Sequence, residues 1–253
     1  FTGNEVGAML LEYICSERTK MGTMPADPVA VKTIVTTDIA AKIAKEYGVK
    51  LIEVLTGFKF IGEQIGFLED KGQEDRYIFG FEESYGYLAG SYVRDKDAVV
   101  ASMLICEMAA FYRTKGISLI QARENMYKKY GVYVHSQSSF VCEGVTGMER
   151  MKEIMSDLRT NTPKTIGGLT VTRFEDYLAS TSVDTATGAK TMLTLPKSDV
   201  LTFKLTDGAS VIIRPSGTEP KIKAYYTTTG TTKAEAAALE KTISDDFAKI
   251  LGF

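Results

Sequence analysis

The chain has 253 residues, with 30 Lys and Arg against 32 Asp and Glu and a net charge of −2, enough for one large domain or two ordinary ones. The near balance of charge argues against general nucleic-acid binding and against a basic membrane-surface patch. No apolar run approaches the roughly 20 residues needed to span a bilayer, and no signal peptide is read at the start.

Thr2-Gly3-Asn4-Glu5 reads as a capping box, with Thr at the cap and Glu three residues on. Val6, Met9, Leu10, Tyr13 and Ile14 follow at helical spacing and predict an amphipathic helix over 3–18. Because this helix opens almost directly after Phe1, the chain reads as a piece of a longer one. Val29 to Val35 is β-branched and strand-like; Asp38 then caps a helix carrying Ile39, Ile43 and Tyr47, closed by Gly48. Leu51 to Leu55 predicts a second strand, Thr56-Gly57 a loop, and 59–70 a helix. Tyr77 to Phe81 predicts a third strand. A polar loop follows, then a helix from Ala98 to Lys115 capped by Asp97, and another from Ser118 to Tyr130.

The rhythm changes after Gly131. Residues 132–147 read as a connection, and a helix is predicted near Met148–Thr160. Leu169–Phe174, Val200–Leu205, Val211–Arg214 and Ile222–Thr228 are strand-like, with Asp207-Gly208 as a hairpin signal. Residues 180–190 read as a surface loop, and a last helix runs over Lys233–Leu251. Alternating strands and helices imply a parallel sheet covered by helices in the first part. Strands run together and bracketed by helices imply an α+β domain with an antiparallel sheet in the second. The widely spaced Cys15, Cys106 and Cys142 read as buried thiols of a reducing, cytoplasmic protein. His135, the one histidine, reads as a polar residue at a strand end rather than a catalytic base.

Right-handed crossovers place all three strand-to-helix loops of the first part on one sheet edge, where ligands of open α/β sheets bind. That edge carries Thr36-Thr37-Asp38, Thr56-Gly57-Phe58-Lys59 and Glu82-Glu83-Ser84. In Gly80-Phe81-Glu82-Glu83-Ser84-Tyr85-Gly86, carboxylates can accept from sugar hydroxyls and the serine can donate or accept. On spacing alone the same stretch reads equally as a solvated acidic turn. Arg94-Asp95-Lys96-Asp97 reads as a helix cap with surface charge, or as a loop whose Lys96 is a general acid/base or phosphate partner. Lys59 has a similar standing, beside a helix N-terminus that is itself suited to anions.

The last constellation is Arg214-Pro215-Ser216-Gly217-Thr218-Glu219-Pro220-Lys221, between two strand-like runs. Arg presents a rigid fork of donors to phosphate oxygens, Ser216 and Thr218 add hydroxyls, and Gly217 allows a positive φ with successive N–H groups aimed at one anion. Its residues are also ordinary turn formers, but a plain turn gives no reason for both Arg214 and Lys221. No Gly-x-Gly-x-x-Gly follows a strand, and no Walker A loop, aspartate-rich metal loop or nucleophile motif is present. This weakens the reading as a nucleotide-dependent enzyme.

Together these motifs, with Thr2 to Gly7 and Thr56 to Gly62, resemble the α-D-phosphohexomutase family of phosphoglucomutases and phosphomannomutases, in order and in spacing. The resemblance spans the whole chain but only the last two of the family's four domains. It implies a three-layer αβα sugar-binding third domain over 1–135. Over 136–253 it implies a smaller α+β fourth domain, TATA-box-binding-protein-like, carrying the phosphate loop. It further implies interconversion of glucose 1-phosphate and glucose 6-phosphate through glucose 1,6-bisphosphate, with a phosphoserine donor and Mg2+ in the parent's missing domains. Carried over, Thr56, Gly57, Lys59, Glu82, Ser84 and Arg94 bind the sugar. Arg214, Ser216, Gly217, Thr218 and Lys221 hold the non-reacting phosphate, and Lys96 is the general acid/base. The Glu-Glu-Ser form of the sugar loop resembles glucose-preferring members. Phosphomannomutase and phosphopentomutase activities stay open, as does a stand-alone phosphosugar-binding module with no catalytic partner. The chain alone, lacking nucleophile and metal loops, is expected to be inactive.

Overall fold

The computed structural model describes residues 1–253 apart from Val145 and Thr218. The chain divides into two units, Phe1–Gly131 and Val132–Phe253.

The first unit runs α1 (Gly3–Lys20), β1 (Val29–Thr33), α2 (Ile39–Glu46), β2 (Lys50–Val54), α3 (Phe58–Glu69), β3 (Tyr77–Phe81), β4 (Tyr87–Leu88), α4 (Ala98–Thr114) and α5 (Leu119–Tyr130). Its sheet has the order β2-β1-β3-β4; β1 is parallel to β2 and β3, and β4 returns antiparallel to β3. All five residues of β1 are buried, as expected of a central strand covered on both faces. Val29 and Val31 point into a cluster with Phe58, Ile61, Ile65 and Leu68 of α3. Those four recur at 3-4-3 spacing, and burying such side chains contributes about 1.5–3 kcal/mol each relative to exposure. The other face meets α1, where Phe81 lies against Gly7. A bulge between Val29 and Ala30 in the β1–β3 pairing turns Phe79 and Phe81 onto that α1 face while Tyr77 stays with α3. The layers are therefore helix, sheet, helix.

The second unit runs β5 (Val132–Val141), α6 (Gly147–Thr160), β6 (Thr165–Ile166), β7 (Leu169–Asp176), β8 (Thr181–Asp184), β9 (Lys190–Met192), β10 (Leu201–Leu205), β11 (Ser210–Pro215), β12 (Lys221–Gly230) and α7 (Lys233–Ile250). The sheet order is β5-β12-β11-β10-β7-β8-β9, with β6 on β7, and every pairing is antiparallel. Ile213, Ile222, Ala224 and Tyr226 face a core shared with Met155 of α6 and with Ile243 and Phe247 of α7. Asp207 and Gly208 both have positive φ in the turn joining β10 to β11, the backbone a tight hairpin needs.

Four sequence expectations are corrected. Residues 132–147 do not simply connect: Val132–Val141 is a strand paired along its whole length with β12. It is an edge strand, so one side has no neighbour and Ser and Gln are tolerated among its Val, Tyr and Phe. The Thr- and Ala-rich stretch 180–190 is a hairpin, β8 to β9, rather than a plain loop. Cys15 and Cys142 are buried, but Cys106 is exposed on α4, whose apolar residues are not confined to one face. Burial pushes the Cys15 thiol up to about 12. His135 sits inside β5 rather than at its end, bonded through Nδ1 to the Thr227 hydroxyl (3.1 Å) and stacked on Tyr133.

Candidate functional site

Parallel pairing brings the C-terminal ends of β1, β2 and β3 to one edge of the first sheet, and the N-terminus of α1 is built into the same edge. The capping box forms: Glu5 N–H donates to the Thr2 hydroxyl (3.2 Å) and Thr2 N–H to the Glu5 carboxylate (2.9 Å). Asn4, buried, accepts the Thr37 N–H at 2.9 Å. Tyr87 donates its hydroxyl to the Gly3 carbonyl at 3.0 Å. A Cβ on Gly3 would run into the Glu83 carbonyl, and one on Gly7 into the Phe81 ring. The glycines of the Thr2–Gly7 motif thus let α1 dock against β3 and the acidic loop that follows it.

The loop after β1 is wired inward. Thr36 and Thr37 are 3% and 2% exposed. The Thr36 hydroxyl bonds that of Thr33 (2.7 Å), and the Thr37 hydroxyl accepts the Ile39 N–H (3.3 Å). Asp38 makes no side-chain cap to α2; its carboxylate pairs instead with Lys32 at 3.0 Å. Lys32 is fully buried and also reaches Glu53 (2.7 Å) and the Thr36 carbonyl (3.0 Å). Burial opposes its charge, but Asp38 and Glu53 together outweigh burial and hold its pKa above the usual lysine range. This loop supports the edge rather than offering groups to a ligand. Neither Asn4 nor Lys32 stood out in the sequence. The only signal for Lys32 was a cation inside an otherwise apolar, β-branched strand.

The other two loops converge. Glu82, 7% exposed, accepts the Gly57 N–H at 3.0 Å, and its own N–H donates to the Gly86 carbonyl at 2.8 Å. Gly57 has φ 119°, a conformation open to glycine, and opens α3 without a side-chain cap. Tyr85, with φ 63°, is a non-glycine residue in the left-handed region beside Gly86. A Cβ on Gly86 would lie 3.0 Å from Glu82 Oε2, 3.2 Å from Lys96 Cδ and 3.2 Å from the Phe58 ring. Three side chains therefore meet at Gly86, a carboxylate, a lysine stem and an aromatic ring, and the carboxylate ties in the Gly57 turn. Lys96 Nζ lies 5.5 Å from the Phe58 ring centroid and 3.4 Å from Asp95. Ser84 is exposed on the same loop and Thr56 is half-buried beside Gly57. Lys59 is exposed, its ammonium 4.8 Å from the Phe60 ring.

Arg94 is not brought to this group. Its guanidinium is bonded to Glu69 and to the Ser91 and Val93 carbonyls. Glu69 closes α3 at the end opposite Gly57, about 18 Å away at 1.5 Å per residue. The Arg94 backbone lies against α3 where Gly62 leaves room for its carbonyl. Asp97 caps α4 through the Val99 and Val100 N–H groups. The Tyr92 hydroxyl, with those amides, holds its carboxyl below the usual range.

In the second unit the cationic loop joins β11 to β12. Arg214 donates to the Tyr225 hydroxyl from Nε and Nη2 (3.4 and 3.3 Å), its guanidinium 5.9 Å from that ring. Arg214 pairs with Lys223 in the strand register, and side chains alternate, so Arg214, Lys221 and Lys223 share the sheet face opposite the core. Lys223 was missed in the sequence because only the register places it beside Arg214. The loop is closed by its own backbone: Ser216 N–H donates to the Lys221 carbonyl (2.8 Å) and Lys221 N–H to the Glu219 carbonyl (2.7 Å). Those two amides are used in closing the turn. Lys221 is also ion-paired with Glu219. Gly217 lies outside the left-handed region, and among the described residues nothing would crowd a Cβ there. Thr218 lies outside the described residues.

Among the described residues, no group of three or more His, Cys, Asp or Glu side chains is arranged to hold a metal ion, and no helix is long and apolar enough to cross a membrane.

A family model described as phosphoglucomutase/phosphomannomutase, alpha/beta/alpha domain III, matches residues 2–130, and one described as phosphoglucomutase/phosphomannomutase, C-terminal domain, matches residues 158–245. A phosphoglucomutase of Staphylococcus aureus (strain bovine RF122 / ET3-1) is 37% identical over 225 residues, 89% of this chain and 39% of the relative. The chain thus spans about two-fifths of the length of such relatives. Among solved structures, the open form of the exocytosis-sensitive phosphoprotein pp63/parafusin, a phosphoglucomutase from Paramecium, aligns over 100% of this chain and 41% of its own, with TM-score 0.69 and 19% identity. A phosphoglucomutase/phosphomannomutase family protein from Burkholderia thailandensis aligns over 99% and 41%, with TM-score 0.55 and 14% identity. At those identities the structural likeness shows the fold.

Proposed function

Since the chain belongs to the phosphoglucomutase/phosphomannomutase family, we propose that it is the substrate-recognition part of a phosphoglucomutase. The first unit binds sugar hydroxyls and the second binds the phosphate that is not reacting. The observation that carries this reading is the convergence of Glu82, Lys96 and Phe58 around Gly86, with Gly57 bonded to Glu82. A carboxylate accepts from hydroxyls, an aromatic ring covers an apolar ring face, and Ser84 adds an exposed hydroxyl. Thr56 and Lys59 border the same edge. Lys96, its stem against Gly86, is the group that gives or takes a proton at a sugar hydroxyl. Arg94 takes a structural part, tying its loop to α3.

In the second unit Arg214, Lys221 and Lys223 supply charge on one sheet face, and Ser216 and Thr218 supply hydroxyls. Arg214 is the anchor, because its fork matches two phosphate oxygens at once. The reaction proposed for the full-length protein interconverts glucose 1-phosphate and glucose 6-phosphate through glucose 1,6-bisphosphate. A phosphoserine in the remaining portion of such a polypeptide gives its phosphoryl group to one hydroxyl and regains one from the other position. Mg2+ would belong to that portion as well, since the aspartate-rich loop that would hold it is not read in this sequence. The unpaired thiols support a reducing, cytoplasmic setting.

Titration of the 15N-labelled chain tests this. Glucose 1,6-bisphosphate, glucose 1-phosphate and glucose 6-phosphate are expected to shift amides at 56–59, 82–86 and 214–217. Mannose and ribose phosphates shift the first two groups less. Arg214→Ala is expected to weaken bisphosphate binding roughly 10- to 100-fold, the loss of charge-assisted hydrogen bonds. Equal affinity in Arg214→Ala would remove the phosphate assignment. Equal response to every sugar would remove the preference for glucose.

A further inference from the structure

The N-terminus of α3 has the makings of an anion site: the positive end of a helix dipole and Lys59 beside it. The structure puts a protein carboxylate there. Glu82 reaches across from the end of β3 and accepts the Gly57 N–H at 3.0 Å. Gly57 has no side chain to cap α3 itself, and its carbonyl is already used by the Phe60 N–H (3.0 Å). Glu82 is held rigidly for this task, since its own N–H is tied to the Gly86 carbonyl. It is also 7% exposed, so it cannot swing out into water without opening the loop.

We infer that Glu82 is a positioning and specificity residue: its carboxylate closes the α3 N-terminus through Gly57, locks the Thr56–Gly57 turn to the acidic loop, and bars phosphate from that helix end. The inference rests on the reading of this edge as a sugar site and deepens it. A phosphate brought to α3 meets a fixed negative charge at short range in a partly buried setting, where repulsion is poorly screened. A neutral hydroxyl meets an acceptor instead. The edge therefore selects the uncharged face of a phosphosugar, and the phosphates are directed elsewhere. Gly57 and Gly86 follow from the same device. The first gives the bend that turns its N–H to Glu82. The second lets Glu82, Lys96 and Phe58 close to within 3.0–3.2 Å of one point.

Amide spectra of the full 253-residue chain test this with inorganic phosphate as the probe. In the wild type, phosphate is expected to leave the amides of Gly57 to Phe60 unmoved. In Glu82→Ala the Gly57 amide is expected to exchange with solvent about tenfold faster, and phosphate to shift Gly57–Phe60 saturably. Glu82→Gln keeps an oxygen to accept the Gly57 N–H but loses the charge. Its Gly57 protection is expected to stay within about threefold of wild type, while a weaker phosphate response appears. That split separates charge exclusion from mere structural support, and it stands if the Ala variant does not fold. Phosphate shifts at Gly57–Phe60 in the wild type would overturn the inference. So would unchanged Gly57 exchange in Glu82→Ala, or a Gln variant as unresponsive to phosphate as wild type. None of these outcomes touches the sugar-site reading, which fails separately if glucose phosphates leave 82–86 unmoved in the wild type.

Discussion

The acidic loop of the first unit and the cationic loop of the second are built in opposite ways. The acidic loop is held from several sides. Glu82 is bonded to Gly57 and Tyr87 to Gly3; a Cβ on Gly3 would collide with the Glu83 backbone, and one on Gly86 would press on the side chains of Glu82, Lys96 and Phe58. The cationic loop is closed by two of its own backbone bonds, and among the described residues nothing crowds a Cβ at Gly217. The difference follows from the ligand each is proposed to take. A neutral hydroxyl is distinguished by the direction of a hydrogen bond, so its partner must be fixed in place. A phosphate is attracted by net charge from several directions, so cations on one sheet face serve even when the turn between them is open.

The largest test of this contrast is Gly3→Val. The added side chain collides with the Glu83 backbone, and the first unit is expected to lose about 3 kcal/mol by overpacking. Hydrogen exchange should show the loss at α1 and at 82–86 rather than in β10 to β12. A uniform loss in both units would erase the distinction.

A smaller effect is expected for Lys32→Met, about 1–3 kcal/mol, because Asp38 and Glu53 are half exposed and water can solvate them once the cation is gone. The pH dependence has a definite sign. A lysine whose pKa is raised in the folded state stabilises fully below its unfolded value, about 10.4, and loses that contribution as pH rises through the folded value. The gap in urea midpoint between wild type and Lys32→Met should therefore hold steady through neutral pH and narrow only above about pH 10.4. A gap that closed near neutrality would mean the buried ammonium is not the source.

The smallest effect is expected at Gly217. Gly217→Ala should leave stability within about 0.5 kcal/mol of wild type, since nothing described would touch the methyl. If the variant unfolds readily by urea titration, the cationic loop is as constrained as the acidic one and the comparison collapses.

Much of the fold could be read along the chain because its signals are local. The capping box at Thr2 and Glu5, the 3-4-3 spacing in α3 and the Asp207-Gly208 turn each lie within a few residues of one another, and each formed. β5 was not legible. Its Ser-Gln-Ser-Ser stretch carries no burial pattern, and only pairing with β12, some ninety residues on, makes it a strand. The hairpin over 181–192 was hidden for the same reason. Within the sites, residue types were readable and their partners were not. Arg94 is paired with Glu69, a partner that only the placement of α3 supplies. Asp38 looked like a helix cap until β1 put Lys32 beneath it. Lys223 gained its place only from the register that sets it opposite Arg214.

Helix positions, turn chemistry and the order of motifs belong to the sequence alone, since backbone sterics and hydrophobic period act over a turn or two. Which charged groups stand ready for a ligand and which are consumed holding the scaffold was decided only by the folded chain. A carboxylate such as Glu82 bonds whatever donor the fold brings within 3 Å, and that donor lies 25 residues away.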